Sequence, residues 1–181
     1  MHRIYPLLSL ALFCLFAGGA LADSYPLQGI EDGDTLQVRV DGHSERIQLR
    51  GIDAPENTPN PKLRSDLGRT GLSKEELLEL GRLARQHLQT LLTIGQPVEL
   101  SNDMSKRDRY GRVLEWVSDT KGRNINETML ADGYAIALPQ SAGDPKRGAL
   151  LLRLEQEARA SGRGLWGEQR QRTLRWSGAR P

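Results

Sequence analysis

The stretch TLQVRVDGHSERIQLRGIDAPE, residues 35–56, decides the fold because it contains two alternating segments joined by a turn. TLQVRV (35–40) alternates apolar and polar residues, and RIQLR (46–50) does so again, as half-buried strands do. The Asp-Gly pair at 41–42 is typical of a tight hairpin turn. The stretch therefore predicts an antiparallel hairpin that runs into the polar motif GIDAPE, residues 51–56.

The rest of the chain predicts further strands and three helices around this hairpin. Short strands are predicted near 25–30, 96–101 and 112–119, and residues 57–72, rich in Pro, Gly and charge, predict a surface loop. A capping box at Ser73 and Glu76 begins the first helix, and two more helices follow the last strand. This order favours an α+β, mainly β fold: a five-stranded OB-type Greek-key barrel with three packed α-helices.

The chain ends differ in composition from the middle. Residues 1–22 combine a basic start, an apolar run and a small-x-small site before Asp23, which is the pattern of a cleavable signal peptide. The apolar run is short for a membrane anchor, so we expect a secreted or periplasmic protein. Residues 23–166 are predicted to form one domain, and the basic segment 167–181 a disordered tail.

Composition leaves the class of partner open. The formal net charge is +2, with 25 Lys and Arg against 23 Asp and Glu, and Cys14 is the single cysteine. Cleavage before Asp23 would remove this cysteine, so the mature chain could form no disulfide. A charge so near zero argues neither for nor against a polyanionic partner, and the function must be inferred from particular residues.

Two carboxylates are expected to meet at one end of the hairpin. Asp34, in DGDT (32–35), begins one strand, and Asp53, in GIDAPE, follows the partner strand. The start of one strand lies opposite the end of its partner, and Pro55 favours an extended Ala54 whose carbonyl can face the same point. Such oxygen donors suit Ca²⁺, and Glu56 would stand beside a metal-bound water that it can orient or deprotonate.

The motif DRYGR, residues 108–112, adds a cationic group. Arg112 opens a strand directly after a turn, and a guanidinium there can hold a phosphate through two hydrogen bonds. Tyr110 can stack on a sugar or a base, or pack against its own hairpin. Each motif alone fits a plain turn or a solvated side chain, but together they describe a site for phosphodiester hydrolysis.

Four motifs follow one another along the chain: DGDT, GIDAPE, DRYGR and the closing GLW (164–166). In sequence and order they resemble the staphylococcal nuclease (thermonuclease) family, and the resemblance extends from about Leu27 to Trp166. The resemblance implies an OB barrel and Ca²⁺-dependent cleavage of DNA and RNA with low sequence specificity. It also implies roles for particular residues: metal-binding carboxylates at Asp34 and Asp53, a metal-binding backbone carbonyl at Ala54, a general base at Glu56 and one of two catalytic arginines at Arg112.

The second arginine is where the chain departs from this family. The family usually has arginine five residues before the second metal aspartate, and here that position is Gln48. Arg46 and Arg50 lie on the same strand face, and Arg50, nearer the site in sequence, is predicted to reach the phosphate. The missing charge leaves an alternative, a nucleic-acid-binding OB module with impaired catalysis. For either function we expect a monomer.

Overall fold

The computed structural model describes residues 23–101 and 104–179. The predicted signal peptide, residues 1–22, lies outside the described residues, as do 102–103 and 180–181. The described strands, in chain order, are β1 (Asp23–Ile30), β2 (Thr35–Val40), β3 (His43–Leu49), β4 (Ile52–Asp53), β5 (Pro97–Leu100), β6 (Val113–Glu115), β7 (Val117–Ser118) and β8 (Ile136–Ala137). The described α-helices are α1 (Pro61–Thr70), α2 (Lys74–Leu91), α3 (Ile125–Ala131), α4 (Pro145–Ala160) and α5 (Arg170–Ser177).

The predicted hairpin is confirmed. β2 and β3 pair antiparallel, with Thr35 opposite Gln48 at the open end and Val40 opposite His43 at the turn. Asp41 and Gly42 both have positive φ angles, 48° and 84°, which a two-residue turn of type I′ requires. Leu36, Val38, Ile47 and Leu49 are buried, so the alternation read from the sequence does separate the core face from the outer face.

A bent segment closes the sheet into a barrel. The order of the main sheet is β6-β3-β2-β1-β5-β7, and only Trp116 separates β6 from β7 along the chain. β6 runs parallel to β3, whereas β7 pairs antiparallel with β5, so one segment contacts both edges of the sheet. The predicted mainly β barrel class is therefore confirmed, but the main sheet of the described residues has six strands where five were predicted, and β4 and β8 form an additional small ribbon.

The prediction of three helices is wrong, because five lie in the described residues. Helix α1 lies inside the segment predicted as a loop: Asn60 caps it by accepting from the amide of Leu63 at 2.8 Å, and Pro61 begins it. Helix α5 lies inside the segment predicted as a disordered tail, where Trp176 is only 1% exposed. We call α1 and α5 together the helical cap.

The helical cap has a small apolar core of its own. Trp176 packs among Leu63 of α1, Leu77 and Leu80 of α2 and the buried Leu165. The guanidinium of Arg175 donates to the carbonyl oxygens of Thr70, at 3.2 Å, and Gly71, at 2.6 Å, at the end of α1. The C-terminal segment therefore buries a tryptophan and ties itself to α1 through Arg175, and it is not the disordered tail that was predicted.

Helix α2 joins the barrel to the helical cap. Its predicted capping box is confirmed, because Ser73 and Glu76 bond each other's backbone amides. A Cβ built on Gly81 of this helix would lie 2.2 Å from the carbonyl oxygen of Glu56, so glycine permits a very close approach. Among the helices of the described chain, none has the length and apolar character needed to cross a membrane.

Candidate active site

A tight turn places Asp34 at the open end of the hairpin. The carboxylate of Asp32 accepts from the amide of Asp34 at 3.0 Å, which holds the turn, and Leu49 donates to the carbonyl of Asp34 at 2.8 Å. A Cβ on Gly33 would lie 2.7 Å from the Cβ atoms of both Ala54 and Ala84. The glycine is therefore required for this turn to pack against the second polar turn.

The structure places the turns that bear Asp34 and Asp53 side by side. Asp34 Oδ2 accepts from the amide of Ala54, the residue directly after Asp53, at 2.8 Å. Burial raises the pKa of Asp53, the ammonium of Lys62 opposes that rise, and the charge of Asp34 adds to it. Burial and the charge of Asp34 likewise raise the pKa of Asp32. We call Asp34, Asp53 and Glu56 the acidic site.

Glu56 is held in place from two sides. Its carboxylate is buried, and Oε2 accepts from the side-chain amide of Asn60 at 2.5 Å. The same Asn60 caps α1, so the start of this helix and the orientation of Glu56 depend on one side chain. Helix α2 supports the backbone of Glu56 from behind, at Gly81.

Lys62, which sequence reasoning missed, enters the acidic site from α1. Its Nζ lies 3.3 Å from both Asp53 Oδ1 and the carbonyl oxygen of Ala54, and 3.4 Å from Glu56 Oε1. Asp66, one helical turn further along α1, lies 3.4 Å from the same ammonium. Burial lowers the pKa of Lys62, but the surrounding carboxylates, Asp53 first, outweigh it and raise this pKa.

Arg112 is oriented by Asp108 and by a buried hydroxyl. Asp108 Oδ2 accepts from Arg112 Nε at 2.7 Å, and Arg112 Nη1 donates to Thr35 Oγ1 at 2.9 Å. Burial would raise the pKa of Asp108, but hydrogen bonds from Arg112 lower it. The hydroxyl of Thr35 also lies 3.0 Å from Asp34 Oδ1 and 3.3 Å from Gln48 Oε1. Thr35 thus links Arg112 to the acidic site.

The two arginines that flank Gln48 are placed differently. The guanidinium of Arg50 is buried and donates to the carbonyl of Leu114 at 2.8 and 3.2 Å. Arg46, whose side chain is 47% exposed, pairs with Glu31 and lines the cavity that Glu56 and Arg112 also line. The sequence prediction chose Arg50, whereas the structure brings Arg46 to this cavity.

The cavity is bounded by Tyr110, which is 44% exposed, and the guanidinium groups of Arg109 and Arg112 lie 4.8 and 5.5 Å from the centre of its ring. An exposed ring at the edge of a cationic cavity can stack on a base or a sugar. His43, at the start of β3, is exposed. The ring of His87 stacks on that of Tyr134 at 4.0 Å, and its Nε2 lies 2.8 Å from the carboxylate of Asp132.

The donor set at the acidic site consists of oxygen atoms. Within residues 23–101 and 104–179, no group of three or more His, Cys, Asp and Glu side chains is arranged to hold a metal ion by itself. Asp34, Asp53 and the carbonyl of Ala54 nevertheless offer hard oxygen atoms on two adjacent turns, which is the donor chemistry that Ca²⁺ prefers. The ammonium of Lys62 contacts two of these donors, Asp53 Oδ1 and the carbonyl of Ala54, together with Glu56.

One signal in the sequence could have revealed Lys62, and no signal separates Arg46 from Arg50. Asn60 directly before Pro61, with Leu63, Leu67 and the later Gly71, has the pattern of a capped helix, which would have placed Lys62 in its first turn. Arg46 differs from Arg50 only in its distance from the hairpin's open end. The alternation along the strand places both arginines on the same face, but it does not show which of the two side chains reaches the cavity.

Comparison with known proteins agrees with this geometry. Residues 46–168 match the family model described as staphylococcal nuclease homologue. An uncharacterized endonuclease of Escherichia coli is 33% identical over 137 residues, which cover 76% of this chain and 72% of the relative. A thermonuclease of Staphylococcus intermedius is 29% identical over 147 residues, covering 80% and 76% of the two chains, and a micrococcal nuclease of Shigella flexneri is 33% identical over 147 residues, covering 77% and 71%.

Proposed function

The chain belongs to the staphylococcal nuclease family and is a hydrolase of the nuclease type; we propose that it is a Ca²⁺-dependent endonuclease that cleaves DNA and RNA with little sequence preference. One observation carries this proposal. The hydrogen bond from the amide of Ala54 to Asp34 holds the turn that bears Asp53 against the turn that bears Asp34, and Glu56, two residues after Ala54, shares a cavity with Arg112.

The ion would be held by Asp34, Asp53 and the carbonyl of Ala54, with waters completing its coordination. Bound Ca²⁺ would offset the negative charge of the scissile phosphate and favour the ionised form of a neighbouring water. The chain's own contribution is to keep the donors together, because the Asp32 turn and the amide of Ala54 fix the carboxylate of Asp34.

Glu56 is the proposed general base. The side-chain amide of Asn60 holds the carboxylate of Glu56 in place. This carboxylate would orient a water molecule for attack on phosphorus and take a proton from that water. The new phosphorus–oxygen bond would form as the bond to the 5′ oxygen breaks, and that oxygen would take a proton from solvent water and leave as a hydroxyl. By family resemblance, the other product carries a 3′-phosphate.

Two arginines would bind the phosphate as its negative charge grows. Arg112 is oriented for this role by Asp108 and Thr35. We assign the second role to Arg46 and not to Arg50, because Arg46 lines the cavity and Arg50 donates to a backbone carbonyl. These groups and Tyr110 contact phosphate or the faces of bases, and neither contact reads a base edge, which accounts for low sequence preference.

Cleavage assays on the mature protein, residues 23–181, test this proposal. We expect single-stranded DNA and RNA to be cut in Ca²⁺ and left intact in a chelator. Binding without cutting in Ca²⁺ would instead support a nucleic-acid-binding module whose catalysis is impaired by Gln48. Cutting that needs Mg²⁺ or Mn²⁺ would keep the enzyme and change the metal.

We also propose that the protein acts outside the cytoplasm as a monomer. The support is the signal-peptide pattern of residues 1–22. Expression of the full chain should release a protein whose first residue is Asp23, and light scattering should give the mass of one mature chain. An uncut N-terminus in a membrane fraction would contradict cleavage.

A further inference from the structure

The ammonium of Lys62 lies where a divalent ion would be expected. Three of its four oxygen neighbours belong to the proposed ion-binding and water-activating groups: Asp53 Oδ1 at 3.3 Å, the carbonyl of Ala54 at 3.3 Å and Glu56 Oε1 at 3.4 Å. The fourth is Asp66 Oδ2 at 3.4 Å. The side chain of the lysine is only 25% exposed, so these oxygens replace much of the water around its charge.

An ammonium and a divalent ion cannot share these oxygens. Ca²⁺ needs its donors at about 2.3–2.6 Å, which requires the oxygens of Asp53 and Ala54 to close on the ion in place of the lysine. Two cations held a few ångströms apart in a partly buried site also repel each other strongly. Ion binding therefore requires the ammonium to leave.

We propose that Lys62 is a tethered cation that occupies the divalent-ion position of the metal-free protein, and that its displacement sets the affinity of this site for Ca²⁺. The inference rests on the proposed function, since it assumes that the ion binds at Asp34, Asp53 and Ala54. It adds a residue that determines how much Ca²⁺ the enzyme needs, and it explains how clustered carboxylates are tolerated before the ion arrives.

A second place for the displaced ammonium already exists on the same helix. Asp66 follows Lys62 by one turn and contacts its Nζ, and the ring of Trp176 lies 5.9 Å from that nitrogen. Asn60 caps one end of α1 and Arg175 bonds the carbonyls at the other end, so the backbone of this helix is held in place. Rotation of the lysine side chain alone can transfer the ammonium from Asp53 and Glu56 to Asp66 and Trp176.

Calorimetric titration of the metal-free mature protein with Ca²⁺ tests this proposal. Lys62→Met keeps the length of the side chain and removes its charge, so Ca²⁺ should bind at least about tenfold tighter than to the wild type. Asp66→Asn weakens the alternative position of the ammonium, so Ca²⁺ should bind more weakly. Lys74→Met is the matched control, because Lys74 is an exposed helical lysine outside the site, and it should leave the affinity unchanged.

Thermal unfolding gives a readout that is independent of cleavage. In a chelator, Lys62→Met leaves Asp53 and Glu56 without their cation and should lower the Tm by roughly 5 °C. Saturating Ca²⁺ should remove most of that deficit. A variant that simply misfolded would lose stability under both conditions and would bind Ca²⁺ more weakly than the wild type.

The outcomes separate this inference from the proposed function. If the wild type binds Ca²⁺ and cuts DNA while folded Lys62→Met has an unchanged or weaker affinity, the tethered-cation role is wrong and the nuclease proposal stands. If Lys62→Met binds Ca²⁺ tighter but neither protein cuts, the tethered cation stands and the proposed catalysis is wrong. If neither protein binds Ca²⁺, both proposals are wrong.

Discussion

The acidic site and the helical cap are built in opposite ways. In the acidic site, Asp34 and Ala54 are joined by a hydrogen bond between residues only 20 apart in sequence, at the end of a hairpin whose turn fixes its register. In the helical cap, Arg175 bonds the carbonyl of Thr70 across 105 residues. The first region follows from local pattern, whereas the second depends on packing between distant segments.

This difference predicts which substitutions should reduce turnover and which should reduce the free energy of unfolding. The proposed catalytic carboxylates stand on strands and turns of the barrel, and the helical cap contributes Lys62 and its support without supplying the proposed base. Changes in the acidic site should therefore reduce turnover more than stability, and changes in the core of the helical cap should do the reverse.

Glu56→Gln should have the largest effect. The amide keeps the size of the side chain but cannot take a proton from water, so we expect kcat to fall by roughly 10²–10⁴ with a small change in Tm. Steady-state cleavage of single-stranded DNA at saturating Ca²⁺ measures the rate, and calorimetry measures the Tm. Full activity in the variant would remove Glu56 from the mechanism.

Trp176→Ala should have the largest effect on stability. Truncation empties the core of the helical cap and should lower the free energy of unfolding by about 3–5 kcal/mol, as measured by urea denaturation. Because the indole Nε1 has no hydrogen-bond partner among the described residues, Trp176→Phe should retain most of that stability. A collapse of kcat in folded Trp176→Ala, well below its Tm, would contradict the separation between the two regions.

The same contrast explains what the sequence could predict. The alternation of Leu36, Val38, Ile47 and Leu49 and the turn at Asp41 are local signals, and they were enough to place Asp34 opposite the end of the partner strand. The barrel class could be predicted because the alternation of apolar and polar residues is visible within each strand's own sequence. The elements that were predicted correctly are those whose backbone hydrogen bonds are set by neighbours in the chain.

The helical cap could not be predicted in the same way. Helix α5 is rich in arginine, and without knowledge of Leu63 and Leu80 as partners its single tryptophan does not outweigh the charges. Helix α1 is short, and its capping signal at Asn60 and Pro61 stands among Pro, Gly and charged residues that also favour a loop, so the loop was predicted. Lys62 was missed as a consequence, because a side chain in an assumed loop cannot be assigned to a site.

Gly81→Ala examines the contact through which α2 joins the two regions. A Cβ there would lie 2.2 Å from the carbonyl oxygen of Glu56 and 2.5 Å from the amide nitrogen of Asn57, so the backbone must shift. We expect a loss of about 1–3 kcal/mol in the free energy of unfolding, together with reduced kcat, because Glu56 moves. Gly68→Ala in α1, where a Cβ would meet nothing within 4 Å, is the control and should stabilise slightly. Equal behaviour of the two variants would disprove the close contact.

The smallest effect is expected from the two arginines that flank Gln48. Their variants test which of them binds the phosphate beside the acidic site. Arg46→Ala removes a cavity-lining guanidinium whose side chain is half exposed and already paired with Glu31, so kcat/KM should fall only about tenfold. Arg50→Ala should mainly reduce stability, because its guanidinium donates to the carbonyl of Leu114. Arg107→Ala, at an exposed ion pair with Glu45, should change neither quantity. If Arg50→Ala loses turnover while folded and Arg46→Ala does not, the phosphate-binding role belongs to Arg50. The Arg50 side chain would then have to leave the carbonyl of Leu114 when the substrate binds.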